Sequence, residues 1–321
     1  MQPVPIGVVI VNWNGCADTI ACLESLVEAD PRPASIVVVD NGSMDNSAAT
    51  LTSWVTRHPT LRISVVADAT NRGFAGGCNV GIGRLVGDAG VTHFLLLNND
   101  TTVERAFFGE LGAAVALVPK AGIFGVTIYE TAPRGGVWYA GGRFASVRAA
   151  MSHTISVPMR EVAVPTEFVT GCAMLISRPA WMAVGPLPEC YFMYFEDAEF
   201  CLRARAAGWQ VIYAPRAIVR HAVNATVRRA VDPSRNEYWF ARARALFARR
   251  NFRAWEKWTA LAYLILTVPA RAAVKALRRG PRRGWALLRG TLHGLLAVEG
   301  HAHIGQQAAV QDRGDGVVVS E

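Results

Sequence analysis

Apolar runs closed by polar, turn-forming residues recur along the chain. Val8-Val9-Ile10-Val11, Ile36-Val37-Val38-Val39, Ile63 to Val66 and Phe94-Leu95-Leu96-Leu97 are short and rich in β-branched or large apolar residues. Continuous runs of that kind suit strands buried on both faces. A helical pattern separates the first two, with Ile20, Leu23, Leu26 and Val27 on one face, and Pro31 and Pro33 punctuate it. Asn41-Gly42-Ser43 is turn chemistry, and Asp45 or Ser47 is placed to cap the next helix. Strands alternating with helices predict an α/β fold: a mostly parallel, Rossmann-like sheet with helices on both faces.

Around residues 119–170 the pattern changes. Short β-like pieces (Ile123 to Ile128, Val162 to Val164, Phe168 to Val169) mix with Gly135-Gly136 and Gly141-Gly142. They predict an irregular, partly antiparallel half that shapes a pocket. A helical pattern follows at Ala198 to Ala207, then a strand at Gln210 to Tyr213 that ends before Pro215. From about Pro233 the chain turns helical. Trp258 to Val274 is apolar apart from Arg271, is interrupted by Pro269, and is short for a membrane span. Arg278-Arg279, Arg282-Arg283 and Trp285 come next, then a second apolar helix pattern through Leu287, Leu288, Leu292, Leu295 and Leu296. Apolar faces flanked by Arg and Trp suit helices lying in a lipid headgroup layer. They equally suit a helical subdomain packed on the body or on another subunit.

Composition narrows the class. With 51% hydrophobic and 18% charged residues, the 321-residue chain has an ample core and is not intrinsically disordered. That length holds one large α/β domain with an appendage, or two domains. Met1-Gln2-Pro3-Val4-Pro5 lacks the basic start of a secretory signal, so none is expected. The six cysteines form no CxxC pair, which points to reduced core thiols and against structural zinc. The net charge of +8 is uneven: residues 216–290 hold 18 of the 33 Lys and Arg and three acids, Asp232, Glu237 and Glu256. A basic tail on an acidic body suggests an anionic partner, lipid or nucleic acid. Helix-turn-helix, RNA-recognition and zinc signatures are lacking, and the tail is apolar between its charges, so no nucleic acid is expected.

The chemistry gathers at the strand ends. Asn12-Trp13-Asn14, Asp40-Asn41-Gly42-Ser43, Asn71-Arg72-Gly73-Phe74-Ala75-Gly76-Gly77 and Asn98-Asn99-Asp100 all converge on one edge of a parallel sheet, where open α/β sheets bind ligands. Asp40 can accept the imide N–H of a uracil or thymine. Arg72 can meet a diphosphate, and the glycines after it allow close backbone approach. Asp100 can hold a divalent cation through oxygen. Glu196-Asp197 precedes a helical pattern and can face the same crevice. One acid to hold a metal and another to take a proton suffice for metal-assisted group transfer. The alternative is that the acidic pair only charges a helix N-terminus.

In their order, these motifs resemble the family-two, inverting glycosyltransferases of the glycosyltransferase A fold, and within them the rhamnosyltransferase-like branch that builds bacterial cell-surface polysaccharides. Thr170-Gly171-Cys172-Ala173-Met174-Leu175-Ile176, Phe195-Glu196-Asp197 with Leu202 and Arg203, and Val219-Arg220-His221 complete the likeness, which covers roughly residues 6–225. The resemblance implies sugar transfer from a nucleotide sugar (dTDP-rhamnose first, a UDP-hexose or galactofuranose next) to a lipid-linked or polymeric acceptor. It implies Mg2+ or Mn2+ on Asp100, with His221 as a second ligand, and Asp197 as base with Glu196 orienting the acceptor or the loop. Asn12, Asn14, Asp40, Asn71, Arg72, Gly73 and Asn99 fall on the donor side; Gly171, Tyr194 and Trp209 fall on the acceptor side. Trp138, Tyr139 and Tyr191 are further aromatic candidates, as sugar platforms or as core. The family's metal motif is often Asp-x-Asp; here Asn98 stands in the first place, which makes His221 more important.

The expected organisation is a transferase domain over 1–225 (donor half about 1–118, acceptor half about 119–225), a basic helical extension over 226–305, and a flexible tail over 306–321. The expected location is cytoplasmic, peripheral on the inner face of the plasma membrane and held there by anionic lipid. A second reading is a nucleotide-binding scaffold at the membrane with weakened catalysis, which the altered metal motif supports.

Overall fold

The computed structural model describes residues 3–131, 135–157, 162–222 and 232–297. The expected boundary at 225/226 and the tail at 306–321 lie outside the described residues. The four apolar runs are strands β1 (Ile6–Asn12), β2 (Ser35–Asn41), β3 (Ile63–Asp68) and β4 (His93–Asn98). They pair in parallel in the order β4-β1-β2-β3. Helices α1 (Cys16–Glu28), α2 (Ser47–Thr56) and α3 (Gly73–Val86) connect them. α/β layering with helices on both faces follows, because β1 and β4 are buried over nearly their whole length and need cover on each side.

The second half extends the same sheet. β6 (Ala121–Glu130), β11 (Ala173–Ser177) and β12 (Gln210–His221) add in the order β12-β6-β11-β4. β11 runs antiparallel to both neighbours, and β12 runs parallel to β6. Short strands β5 (Thr101–Val103), β7 (Val137–Tyr139) and β10 (Val164–Pro165) sit at its margin, and β8 (Gly142–Ala145) pairs with β9 (Ala150–His153) as a separate hairpin. Helices α4 (Phe107–Leu117), α5 (Arg178–Val184) and α6 (Glu196–Ala206) complete this half. The irregular, partly antiparallel character expected here is what forms.

Three local expectations change. Pro215 does not end a strand: β12 runs on to His221, and its register slips between Ala214 and Ile218. A bulge is where a sheet tolerates a proline. Phe168 and Val169 form no ladder and are tied by a single bridge, Phe168 to Gly142. The glycines after Arg72 are not an open loop but the start of α3. A Cβ on Gly77 would sit 2.7 Å from Val11 Cγ1, so this glycine lets the helix close on β1 rather than on a ligand.

The basic extension forms α7 (Ser234–Asn251), α8 (Ala254–Arg279) and α9 (Pro281–Leu296). A second apolar cluster, separate from the sheet core, joins Tyr191, Phe195 and Ala198 to Phe247 of α7 and to Leu264 and Val268 of α8. Pro269 lies inside α8 without ending it. The helix is therefore longer than its sequence suggested: at 26 residues it is long and apolar enough to cross a membrane, and 22% of its apolar stretch is buried.

Candidate active site

The carboxyl ends of β1, β2 and β4 form a polar edge whose residues hold one another. Asn12 is buried and donates to Asp40 Oδ1 (2.6 Å), and Ser43 donates to the same oxygen (2.5 Å). Thr19 of α1 donates to Asn12 Oδ1 at 2.8 Å. Asn14 joins through its backbone N–H to Ser43 (2.9 Å) and accepts from the Met44 N–H (2.8 Å). Asp40 thus sits at the expected strand end, with one oxygen already committed. Asn41 ties the same strand end to the start of α3: it donates to Asn71 (3.1 Å) and to the Gly73 carbonyl (2.9 Å), and accepts from the Arg72 N–H (3.0 Å). The Arg72 guanidinium is exposed and paired with Asp68 at 3.2 Å. Asn99 points back into the protein, donating to Thr19 (3.1 Å) and to the Gly15 carbonyl, so it braces the β1–α1 turn.

β5 follows directly after Asp100 and pairs antiparallel with the end of β12, Thr101 opposite His221. The Ala222 N–H donates to the Asp100 carbonyl at 2.9 Å. This pairing joins two residues far apart in sequence: His221 Nε2 lies 3.0 Å from Asp100 Oδ1, and both side chains are nearly enclosed. Burial disfavours the imidazolium, but Cys172 and the Asp100 carboxylate outweigh it and raise the His221 pKa to about 10. His221 Nδ1 is buried without a hydrogen-bond partner, and the Trp138 ring packs edge-on at 5.1 Å.

Among the described residues no group of three or more His, Cys, Asp or Glu is arranged to hold a metal ion. The pair still fits a divalent cation in part. A carboxylate oxygen and an imidazole nitrogen 3.0 Å apart have the spacing of adjacent donors on an octahedral cation with bonds of about 2.1 Å. Other ligands would have to come from substrate and water, and the imidazole would have to lose its proton first.

Glu196 and Asp197 open α6 and face this edge through β11. Asp197 Oδ2 accepts the Gly171 N–H at 2.8 Å, and its Oδ1 accepts the Ala198 N–H at 2.7 Å. Burial raises the Asp197 pKa, and these N–H groups oppose the rise. Burial and the Asp197 charge push Glu196 well above the usual carboxylate range, and Glu196 Oε2 is buried without a partner. The pair cannot hold two charges cheaply, so Glu196 takes the proton and Asp197 keeps the charge. Cys172 lies between the two acidic groups: burial raises its thiol pKa, His221 opposes, and Asp100 and Asp197 add to the rise.

The loop before α6 is strained. Phe192, Tyr194 and Phe195 all have φ between +66° and +70°. Such conformations persist only where the surroundings impose them, and they cluster at functional sites. The Phe192 carbonyl accepts the Phe74 N–H at 2.8 Å, and a Cβ on Gly73 (φ +74°) would collide with it. From the other side, the Trp239 ring of α7 stacks on Phe192 at 4.5 Å, and Phe240 packs edge-on to Tyr194 at 5.5 Å.

Of the acceptor-side candidates, Gly171 serves Asp197 through its N–H, and Tyr194 sits half-buried beside the acidic pair. Trp209 is a correction. It precedes β12 at the edge opposite His221, and its Cβ faces Gly122 at the start of β6. At about 3.3 Å per residue it is roughly 30 Å from His221, because the strand it precedes runs the full height of the sheet. Tyr139 and Tyr191 are fully buried and belong to the core. The arginines of α7 that hold the loop were not singled out from sequence: Arg242 bonds the Cys190 carbonyl (2.9 Å), and Arg250 pairs with Glu199 (3.0 Å). Their only signal was an Arg-rich helical run, which reads as a solvated face.

A mixed sheet with a polar carboxyl edge, one strand-end acid paired to a histidine, and a second acid opening a helix behind a strained loop belong to a glycosyltransferase A fold. Residues 3–252 match the family described as glycosyltransferase like family 2, and the chain belongs to it; the match runs to the end of α7 and stops before α8. The chain is 28% identical, over 310 residues, to the N-acetylglucosaminyl-diphospho-decaprenol L-rhamnosyltransferase of Mycobacterium tuberculosis, covering 88% of this chain and 97% of that one. It is 25% identical over 207 residues to the low-salt glycan biosynthesis hexosyltransferase Agl10 of Haloferax volcanii, covering 62% and 61%. Among solved structures, a mannosyltransferase from Pyrobaculum calidifontis in complex with GDP-Man and Mn2+ superposes with a TM-score of 0.56 at 18% identity, over 92% of this chain and 90% of that one. The chain is thus a glycosyltransferase in glycan synthesis, similar to rhamnosyltransferases.

Proposed function

We propose that this glycosyltransferase moves a sugar, with inversion, from a pyrimidine nucleoside diphosphate sugar to a lipid-linked or polymeric glycan acceptor. dTDP-rhamnose is the preferred donor and a UDP-sugar the next. The similar mycobacterial enzyme, whose name gives a rhamnosyl donor and a diphospho-lipid acceptor, supports this choice. The single observation that carries the mechanism is the Asp197 carboxylate. It is partly buried, oriented by two backbone N–H groups, and set beside a carboxyl that takes the pair's first proton.

An acceptor hydroxyl bound against Asp197 gives up its proton as it attacks the anomeric carbon, and the nucleoside diphosphate departs from the other face. Asp40, Asn12 and Asn14 frame the base at the end of β2. Asn71, Arg72 and Gly73 border the donor, and Asn99 holds the turn beneath it. Gly171 fixes Asp197, and Tyr194 offers a ring to the acceptor. Mg2+ or Mn2+ held by Asp100 and His221 would offset the charge of the departing diphosphate. The enzyme works in the cytoplasm, peripheral on the inner face of the plasma membrane, with α8 and α9 on anionic lipid.

Asp197→Asn keeps the shape and removes the proton acceptor. Turnover should fall by roughly 10²–10⁴, with donor affinity little changed and the wild-type product inverted. A retained anomer, or wild-type turnover in Asp197→Asn, would overturn the assignment.

A further inference from the structure

Polar and cationic side chains meet where α7 crosses α9, beside the loop that leads to Asp197. Tyr238 Oη and His293 Nδ1 share a hydrogen bond of 2.8 Å. The Arg289 guanidinium lies over the Tyr238 ring, 6.0 Å from its centroid, and Arg242 lies 5.7 Å from the Trp239 ring. Trp239 stacks on Phe192, so the cluster is joined to the strained catalytic loop. α7 and α9 approach closely because Gly290 and Gly294 face the carbonyls of Tyr238 and Arg242, where a Cβ would collide.

The charge balance here is incomplete. Arg242 is only 5% exposed. Its hydrogen bond goes to the neutral Cys190 carbonyl, and no carboxylate pairs with it among the described residues. A buried guanidinium without a counter-charge is costly, because the lost hydration is not repaid by a neutral acceptor alone. Arg289 likewise has no carboxylate partner among the described residues. Burial, Arg289 and Arg242 all depress the His293 pKa, a sign that positive charge is in excess.

The surroundings are apolar. Trp285 and Leu292, one turn to either side of Arg289, are exposed, as is Leu296 beyond them. A ligand with an anionic head and a long apolar tail matches both features.

We propose that the α7–α9 seam binds the diphosphate head of a lipid-linked acceptor. Arg242 and Arg289 supply the counter-charge, Tyr238 and His293 supply hydrogen bonds, and the lipid tail follows the exposed face of α9. This rests on the glycosyltransferase reading with a lipid-linked acceptor and names the segment of the chain that receives it. An ordinary bilayer would need only the exposed arginines of α8 and α9. The buried Arg242 and the Trp239–Phe192 stack favour a discrete ligand next to the catalytic loop.

The test uses the full chain in detergent and calorimetric titration with farnesyl diphosphate, farnesol, inorganic pyrophosphate, and dTDP and UDP. Farnesyl diphosphate should bind more tightly than farnesol or pyrophosphate. Arg289→Gln, an exposed substitution, should weaken it by roughly tenfold or more, as for a lost charge-assisted hydrogen bond. Tyr238→Phe should weaken it less, and nucleotide affinity should be unchanged in both. Equal farnesyl diphosphate affinity in wild type and Arg289→Gln overturns the seam while leaving sugar transfer standing. So does an Arg289→Gln defect seen only in binding to anionic vesicles. Arg289-dependent binding in a protein that takes neither nucleotide upholds the seam and sinks the sugar-transfer reading.

Discussion

α7 and α8 follow one another in the same basic stretch, yet they are built inside out relative to each other. α7 buries Arg242 and Arg244. Arg244 donates to the carbonyls of Ala149 (3.0 Å) and Arg148, Arg242 to that of Cys190, and Arg250 pairs with Glu199 of α6. α8 does the reverse: its arginines face outward, and so do Trp258 at 70% and Leu277 at 88% exposure. Two neighbouring basic helices therefore serve opposite ends. α7 is a wall of the loop before α6, where Arg242 and Arg244 find carbonyls and Arg250 a carboxylate that strands, turns and α6 hold in place. α8 turns one apolar face to the body and leaves a second uncovered, which suits a lipid surface.

Stability should separate the two helices most sharply. Phe247 is fully buried between Phe144 and Phe195, so Phe247→Ala should cost about 3–5 kcal/mol. Leu277→Ala should stay within about 0.5 kcal/mol of wild type. Urea unfolding of both variants checks this, and comparable losses would mean that α8 is packed as α7 is.

Membrane affinity should show the opposite order. Replacing exposed Trp258 and Leu266 together by Ala should lower binding to anionic vesicles by roughly tenfold or more, since each large apolar side chain contributes about 1.5–3 kcal/mol when buried. Co-sedimentation at low salt measures it. Wild-type partitioning in the double variant would assign the uncovered face to a protein partner.

The Glu199 contact gives the smallest expected effect and carries a pH signature. Burial tends to raise the Glu199 pKa, but Arg250 first, with Tyr191 and Asn251, lowers it below its ordinary 4.5. A group depressed in the folded state stabilises above its unfolded-state value and loses that contribution as pH falls through the folded one. Glu199→Gln should cost about 1–3 kcal/mol near neutral pH, and the difference from wild type should shrink as pH falls below 4.5. A gap that stays constant down to the acid transition would show that the ion pair adds nothing.

The positions of several candidate residues were legible in the sequence because they sit at strand ends. Asp40 and Asp100 close apolar runs, and a residue that closes a parallel strand lies on the carboxyl edge whatever the rest of the fold does. The place of Asp197 at the start of a helix was legible through the helical pattern that follows it. Other residues were misread where a local signal had two uses. Gly77 suggested close approach to a ligand, but close approach of a helix to β1 uses the same missing Cβ. Pro215 suggested the end of a strand, but a bulge accommodates it. Trp209 suggested a sugar platform, but it precedes a strand that runs the height of the sheet and lies at the wrong edge.

Periodicity, strand-end acids and charge distribution determined the α/β class, the edge that carries the chemistry and the basic helical extension, because each depends on neighbours within a few residues. Tertiary structure alone decided the rest. Asp100 meets His221 only because β5 and β12 pair. One of the two N–H groups that orient Asp197, that of Gly171, reaches it across the fold. Which arginines are buried is likewise not a property of the helix that bears them. It depends on carbonyls and carboxylates brought up from the body, and no local pattern in α7 encodes where those lie.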